Sequence, residues 1–155
     1  MKKTNAMRIL ESMNISYDVV SYNWDEEHLD AIHASEAAGL SPSLVYKTIV
    51  MQDSSKQIFV FCIPALSTVN IKKVRTLTES KDLQLLKMNQ LQQVTGYIRG
   101  GCSPLGMKKH FPTFIDELAQ LEPCIYVSAG QRGMQIKINS EDLVLASGAQ
   151  YADIC

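Results

Sequence analysis

No run of apolar residues in this 155-residue sequence approaches the length of about 20 that a membrane-spanning helix needs. No apolar segment of the kind found in signal peptides follows the first five residues. We therefore expect a soluble protein of the cytoplasm. Neither charge is in excess, since the formal net charge is −1. General nucleic-acid binders are much more basic, so any contact with nucleic acid should be small and local, or assisted by a partner.

Cysteine is also scarce, and its positions exclude the common metal and disulfide patterns. The four residues are Cys62, Cys102, Cys124 and Cys155. None belongs to a C-x-x-C pair or has a histidine at metal-ligand spacing. Cys62 and Cys124 lie in apolar, strand-like segments and are expected to be small core residues. The pattern predicts a reducing compartment, no disulfide, no metal and no cofactor.

Nucleophilic catalysis by the protein itself lacks a recognisable motif. The three histidines, at positions 28, 33 and 110, belong to no triad pattern. Cys102 lies within a glycine-rich loop, but nothing in the sequence supplies a base that would activate its thiol. We favour the interpretation that Cys102 is a small residue beside a strand.

The length predicts a single domain over residues 1–155. Apolar spacing predicts helices over residues 4–14, 29–38, 70–77 and 89–96 and a fifth helix near residue 140, with N-caps at Thr4, Asn70, Asn89 and Ser140. Strands are predicted over residues 17–22, 45–51, 57–63, 83–86, 114–116, 124–127 and 135–138. Helices and strands mix without strict alternation. We therefore expect an α+β fold with a mixed or barrel-like sheet, rather than a doubly wound parallel sheet.

Residues 96–106 form the most unusual stretch of the chain. They include four of the eight glycines, together with Pro104. Glycine lets a ligand approach the main chain, and proline fixes the backbone. The composition predicts either an ordinary connection between strands or a rigid loop whose exposed amides receive an anion or an oxyanion.

Lys47 does not fit the pattern of the strand predicted over residues 45–51. Val45, Ile49 and Met51 share its face of that strand and are apolar. A lysine at this position either extends its amine to water near the strand end or directs a cation into a pocket. In a pocket it would hold a phosphate or a developing negative charge.

Several other polar positions also have two interpretations. Arg99 is a solvated surface charge or a second cation at the glycine-rich loop. The turn over residues 128–133 is a simple hairpin or a source of a hydroxyl, free amides and Arg132. Basic residues at positions 72, 73, 75, 108 and 109 form solvated faces or contact a nucleic-acid backbone.

Many of these residues occur in order, at matched spacing, in a known family. The matched positions are Val45–Thr48, Gly96-Tyr97, Gly100-Gly101, Ser103–Gly106, Lys108-Lys109, Pro112-Thr113, Ile115-Asp116, Ile125–Ser128, Gly130, Arg132-Gly133, Asp142-Leu143 and Ala152–Ile154. The sequence resembles, almost from end to end, the YbaK/EbsC family of bacterial aminoacyl-tRNA deacylases, in its Cys-tRNA(Pro) deacylase branch. It is more distantly similar to the editing domain inserted in bacterial prolyl-tRNA synthetase.

This resemblance implies a mixed fold around a barrel-like sheet of six or seven strands. It implies that the protein removes cysteine from Cys-tRNA(Pro), and also from Cys-tRNA(Cys), acting in trans and alongside prolyl-tRNA synthetase. The family chemistry uses the substrate's own thiol, which attacks the neighbouring ester carbonyl and gives a cyclic thioester and free tRNA. The protein then supplies positioning and oxyanion stabilisation.

The resemblance also implies roles for individual residues. Lys47 matches the essential lysine of the family and would hold the 3′-terminal phosphate or the ester oxygen. The amides of Gly100, Gly101 and Cys102 would hold the carbonyl oxygen, and Ser128 would orient the aminoacyl group or the terminal ribose. The expected catalytic residues are therefore Lys47, Gly100 and Gly101. The expected substrate-binding residues are Tyr22, Thr48, Cys102, Ser103, Ser128 and Gln135.

Gln135 departs from the family pattern, because the branch commonly has an aspartate at this position. A neutral amide cannot replace a charged carboxylate, so either the carboxylate is dispensable or the efficiency or substrate choice of the protein is altered. Two other functions also stay open. One is a deacylase that uses water to hydrolyse another mischarged tRNA, such as Ala-tRNA(Pro). The other is a module that binds tRNA ends or synthetases without turnover.

Overall fold

The structure is a computed structural model that describes residues 2–155. Its five α-helices are α1 (Asn5–Ser12), α2 (Ala31–Ala38), α3 (Ile71–Thr78), α4 (Met88–Thr95) and α5 (Ser140–Ser147), and a 3₁₀ turn covers Glu117–Leu121. The strands are β1 (Asp18–Ser21), β2 (Tyr46–Asp53), β3 (Ile58–Pro64), β4 (Leu83–Leu85), β5 (Thr113–Asp116), β6 (Cys124–Ser128), β7 (Met134–Asn139) and β8 (Gln150–Ala152). No helix within residues 2–155 is long and apolar enough to cross a membrane.

The strands form two sheets that meet at the start of β2. The larger sheet has the order β4-β2-β3-β5-β8, and the smaller has the order β1-β7-β6. The pairs β3-β5 and β5-β8 are parallel, and the other neighbours are antiparallel. A single bridge between Val45 and Tyr126 joins the sheets. The α+β class with a mixed sheet is confirmed, with its strands divided between two linked sheets.

The predicted hairpin of β2 and β3 forms the centre of the larger sheet. Its turn is closed by the amide of Gln57, which donates to the Asp53 carboxylate at 2.9 Å. Every residue of β3 is buried. Cys62 packs into the core cluster shared with the smaller sheet, whereas Phe61 and Ile63 pack into a second cluster on the opposite side. β3 is therefore covered on both faces, as its continuous apolar sequence suggests.

The helix caps confirm two predictions and correct two others. The Thr4 and Asn70 side chains accept amide hydrogen bonds at the starts of α1 and α3, as predicted. The prediction of Asn89 as a cap is wrong, because α4 begins at Met88, after Lys87, which makes no side-chain capping bond. The prediction of Ser140 is also wrong. The Asn139 side chain accepts the amides of residues 141 and 142, so Ser140 becomes the first helical residue.

Two further elements differ from the sequence predictions. α2 begins after an Asp30 cap instead of at Leu29. β8 was not predicted, because it has only three residues and depends on pairing with β5. Of the two cysteines expected in the core, Cys62 is fully buried and Cys124 is half-buried.

Candidate active site

A cavity of about 270 Å³ lies where the two sheets meet, and we call it the Lys47 cavity. Its walls come from the end of β1, the start of α2, the first half of β2, the glycine-rich loop, the end of β6 and the start of β7. These segments are distant in sequence and are brought together by the pairing of β1 and β6 with β7. The cavity is therefore a product of the topology and not of a local motif.

Seven of the nine predicted site residues line this cavity, and two do not. The seven are Tyr22, Lys47, Thr48, Gly100, Cys102, Ser128 and Gln135. Arg99, interpreted above as either a surface charge or a second cation at the glycine-rich loop, also lines the cavity. Gly101 and Ser103 are not among the lining residues.

Gly101 and Ser103 instead hold the glycine-rich loop in shape. The Gly101 amide donates to the Ile98 carbonyl at 2.9 Å, so it is not available to an oxyanion. A Cβ atom at Gly101 would lie 2.9 Å from the Arg132 main-chain nitrogen, which shows how closely the loop packs on the turn over residues 128–133. Ser103 is fully buried, and its hydroxyl accepts the Leu105 amide at 3.2 Å. In the structure, the contacts of both residues lie within the loop and with the turn that packs against it.

Lys47 extends from β2, is half-buried and lines the cavity. Its Nζ atom donates to the Ala65 carbonyl at 3.0 Å. Burial lowers the pKa of the Lys47 amine, and the nearby Cys155 and Asp30 offset part of this effect. A partly desolvated ammonium interacts more strongly with a negative charge than one in water does. This arrangement suits the recognition of an anion or of a developing oxyanion.

Thr48 and Gln135 place unpartnered polar atoms at the cavity. Within residues 2–155, neither the Thr48 hydroxyl oxygen nor Oε1 of Gln135 has a hydrogen-bond partner, and both atoms are buried. Gln135 as a whole is only 5% exposed. A buried polar group without a partner costs about 1–3 kcal/mol, so it is usually explained by a ligand, an ion or water. Both residues line the cavity, so a ligand bound there is the proposed partner of these two atoms.

Strand alternation alone would have separated Lys47 from Thr48, because neighbouring residues point to opposite faces. Both line the cavity, together with Val45, Tyr46 and Ile49. The cavity therefore runs across the first half of β2 instead of covering one of its faces. It begins where Val45 bridges to β6.

Ser128 and Gln135 are partners across the β6-β7 ladder. The Ser128 hydroxyl oxygen accepts the Gly130 amide at 3.1 Å, which fixes its position. Its own hydrogen remains available to an acceptor in the cavity. The pair therefore offers one donor and one acceptor side by side.

Cys102 is poorly suited to act as a nucleophile. Burial raises the pKa of its thiol to about 12, so the thiolate is scarce at neutral pH. No histidine lines the cavity in the part of the chain that the structure describes. This burial agrees with the interpretation that Cys102 is a small residue that packs beside a strand.

Asp30 is a cavity residue that the sequence prediction missed. Its carboxylate caps α2, lines the cavity and accepts hydrogen bonds from the main chain and ring of His33. Partial burial acts to raise the pKa of Asp30, but the His33 hydrogen bonds outweigh burial and lower it. The only sequence signal for Asp30 is that of a helix cap, which says nothing about the cavity. Over residues 2–155, no cluster of three or more His, Cys, Asp or Glu residues has the geometry of a metal site.

Comparison with known proteins identifies relatives along nearly the whole chain. The model of the aminoacyl-tRNA editing domain family matches residues 25–145. EbsC of Enterococcus faecalis, named as a candidate Cys-tRNA(Pro)/Cys-tRNA(Cys) deacylase, is 39% identical over 153 residues, which cover 99% of this chain and 93% of EbsC. A crystal structure of a candidate trans-editing enzyme for prolyl-tRNA synthetase has the same fold, with a TM-score of 0.84 and 21% identity. That match covers 99% of this chain and 98% of the other.

Proposed function

This chain belongs to the aminoacyl-tRNA editing domain family, and on that premise we propose that it removes cysteine from mischarged Cys-tRNA(Pro). Cys-tRNA(Cys) is a further substrate under the same proposal, as in the name of its Enterococcus relative. One observation carries the mechanism: the Lys47 cavity offers several hydrogen-bond donors but no good nucleophile of the protein itself. We propose that the nucleophile comes from the substrate, as the family chemistry implies.

The proposed step is an intramolecular transfer of the acyl group. The thiolate of the cysteinyl group attacks its own ester carbonyl, so a carbon–sulfur bond forms while the bond to the ribose oxygen breaks. The thiol proton ends on that ribose oxygen, and the products are a cyclic thioester and free tRNA. Holding the thiol against the carbonyl removes much of the entropy cost of the reaction, which can contribute several kcal/mol.

Lys47 and two main-chain amides are proposed to stabilise the developing oxyanion. The Lys47 ammonium retains donors beyond its bond to Ala65. Gly100 and Cys102 both line the cavity, and neither amide donates to another group within residues 2–155. One well-placed donor of this kind contributes about 3 kcal/mol to a transition state. Gly101 has no part in this set, because its amide is already bonded.

Three polar side chains are proposed to orient the aminoacyl group. Oε1 of Gln135 can only accept, so its natural partner is the α-ammonium of the substrate. Thr48, Ser128 and Tyr22 line the same space and each carries a hydroxyl. These contacts would turn the substrate thiol toward the ester carbonyl.

Delivery of the tRNA is proposed to depend on prolyl-tRNA synthetase in the cytoplasm. The chain has a net charge of −1, which gives little long-range attraction for a polyanion. Lys73, one of the basic residues considered for backbone contact, is paired with Asp153 at 2.9 Å. A synthetase that already holds the tRNA would supply the missing affinity.

A deacylation panel tests the proposed function. Cys-tRNA(Pro), Cys-tRNA(Cys) and Ala-tRNA(Pro) are incubated with the wild type, with Lys47→Ala and with Lys81→Ala, an exposed lysine outside the cavity. We expect the wild type and Lys81→Ala to cleave the cysteinyl esters only, and Lys47→Ala to cleave none. Cleavage of the alanyl ester would show that water is the nucleophile, and inertness toward every ester would indicate a binding module. Repeating the assay with added synthetase tests the partner.

A further inference from the structure

A second cleft, of about 350 Å³, adjoins the Lys47 cavity. Tyr22 and Ala34 line both spaces, so the two are adjacent. Rings from four side chains form much of its wall, and we call it the aromatic cleft. Those side chains are Tyr22, Trp24, His28 and His33. Trp24 and His28 have no part in the proposed deacylation step.

Trp24 is held as a fixed surface with one face available. The Arg132 guanidinium lies over its ring at 5.2 Å from the centroid, which covers one face of the indole. A Cβ atom at Gly133, whose φ is +84°, would lie 2.7 Å from Cδ1 of Trp24, so the indole edge packs against the turn. Trp24 nevertheless stays 45% exposed. The Arg132 contact covers only one face of the indole, and Trp24 also lines the aromatic cleft.

The two histidines form the other side of the aromatic cleft. Their ring centroids are 4.5 Å apart. Nδ1 of His28 is hydrogen bonded to the Asp25 carboxylate at 2.9 Å, and Nδ1 of His33 is bonded to the Asp30 carboxylate. Each ring is therefore oriented by a carboxylate and not by packing alone. The aromatic cleft is thus lined by flat rings that neighbouring groups hold in place.

The charges around the aromatic cleft favour a nucleobase over a phosphate. Asp25 and Glu36 line it, and Glu26 and Glu27 lie on the same exposed loop. Negative side chains repel a phosphate, but they accept hydrogen bonds from an exocyclic amino group. Arg99 and Arg132, which suit a phosphate, are not among the residues that line the cleft.

We propose that the aromatic cleft binds the terminal adenine of the aminoacyl-tRNA, stacked on Trp24, while the ester of the same nucleotide lies in the Lys47 cavity. This inference rests on the proposed function, since it places the base of the nucleotide whose ester is cleaved. Because Tyr22 lines both spaces, the base and the ester of one nucleotide would occupy neighbouring sites. The exocyclic amine of adenine would donate to the Asp25 or Glu36 carboxylate.

Trp24 is the only tryptophan of the chain, so tryptophan fluorescence reports on the surroundings of this one residue. The probe is AMP, with ribose 5-phosphate as the base-free control and free N-acetyltryptophanamide as the correction for absorbance. We expect saturable quenching by AMP and none by ribose 5-phosphate, with weaker AMP binding in the His28→Ala variant. Quenching by both compounds alike, or by neither, would overturn the proposal.

Kinetics provide an independent readout. Trp24→Ala should raise KM for Cys-tRNA(Pro) by at least about fivefold, the lower limit for loss of one base stack, with a smaller effect on kcat. Trp24→Phe should restore most of the affinity, and Leu85→Ala, an exposed apolar residue on β4, should leave KM unchanged. An unchanged KM in Trp24→Ala would contradict the base site. If the wild type deacylates nothing, the proposed function fails, and the AMP titration still decides the aromatic cleft separately.

Discussion

The side-chain amine of Lys47 donates a hydrogen bond to the main-chain carbonyl of Ala65, 3.0 Å away. Ala65 follows the end of β3, and its own amide donates to the Val45 carbonyl at 2.8 Å. One residue thus extends the hairpin of β2 and β3 and fixes the amine at the cavity wall. Burial also lowers the pKa of this amine. Burial of this amine therefore lowers the stability of the fold, whereas its charge serves the proposed reaction. Substitution of Lys47 should affect stability and activity in different ways.

The first prediction concerns Lys47→Met, which keeps the length of the side chain and removes its charge. Deacylation of Cys-tRNA(Pro) should fall by about a hundredfold or more, the effect of losing one oxyanion donor. The melting temperature should stay the same or rise, because a partly desolvated ammonium is removed. Thermal denaturation and single-turnover deacylation measure the two effects. A large loss of stability would show that Lys47 is a structural residue.

The second prediction concerns the pH dependence of stability. Because the pKa of Lys47 is lower in the folded than in the unfolded state, the unfolded chain binds more protons between the two values. The free energy of unfolding contributed by Lys47 should therefore rise with pH, from the lowered pKa up to the unfolded value near 10.5. Urea denaturation of the wild type and Lys47→Met across this window isolates the contribution as a difference. Parallel pH curves for the two proteins would contradict it.

The third prediction concerns Gln135, whose Oε1 atom is buried without a partner. Gln135→Met removes that atom at similar volume, so the free energy of unfolding should stay the same or rise by about 1–3 kcal/mol. KM for Cys-tRNA(Pro) should rise by about tenfold, as expected for the loss of one hydrogen bond to a charged group. Gln84→Met, at an exposed position of β4, is the matched control. If both variants retain the wild-type KM, the amide does not contact the substrate.

The fourth prediction separates packing from backbone conformation at two glycines. Gly101→Ala should lower the free energy of unfolding by about 1–3 kcal/mol, because its Cβ would lie 2.9 Å from the Arg132 nitrogen. It should also lower activity, since the glycine-rich loop would shift away from the turn that carries Ser128. Gly39→Ala is the control: a Cβ there contacts nothing within 4 Å, but its φ is +70°.

Gly39→Ala should therefore cost only about 1–2 kcal/mol of conformational strain and leave kcat unchanged. Chemical denaturation and single-turnover rates of both variants make the comparison. Full activity in Gly101→Ala would show that the close packing of the loop on the turn does not position the cavity.

The sequence predicted the parts of the fold that depend on local chemistry. The hairpin of β2 and β3 has a continuous apolar strand and a polar turn, and Asn70 caps α3 as expected. The predicted cap was wrong where either of two neighbouring residues could cap the helix, as at Asn139 and Ser140. The Asn139 side-chain oxygen reaches two amides and therefore forms the cap. β8 was not predicted, because three residues are too few to show an alternating pattern of apolar side chains. They form a strand only by pairing with β5.

For the site, sequence patterns indicated which residues are unusual but not where they meet. Lys47 was identified by its position in an apolar strand, and it does enter the cavity. The use of the Gly101 amide within the loop could not be predicted, because it depends on the turn at Ile98. The stacking of Arg132 on Trp24 likewise joins segments more than 100 residues apart in a way that no local pattern records.

The measurement that tests substrate-assisted editing most directly compares two esters of the same tRNA. Cys-tRNA(Pro) and S-methylcysteinyl-tRNA(Pro) are incubated with the wild type and with Cys102→Ala. We predict that both proteins cleave the cysteinyl ester at similar rates and leave the S-methyl ester intact, because the methyl group blocks the attacking sulfur. Cleavage of the S-methyl ester at a comparable rate would contradict this mechanism, and loss of that cleavage in Cys102→Ala would identify Cys102 as the nucleophile.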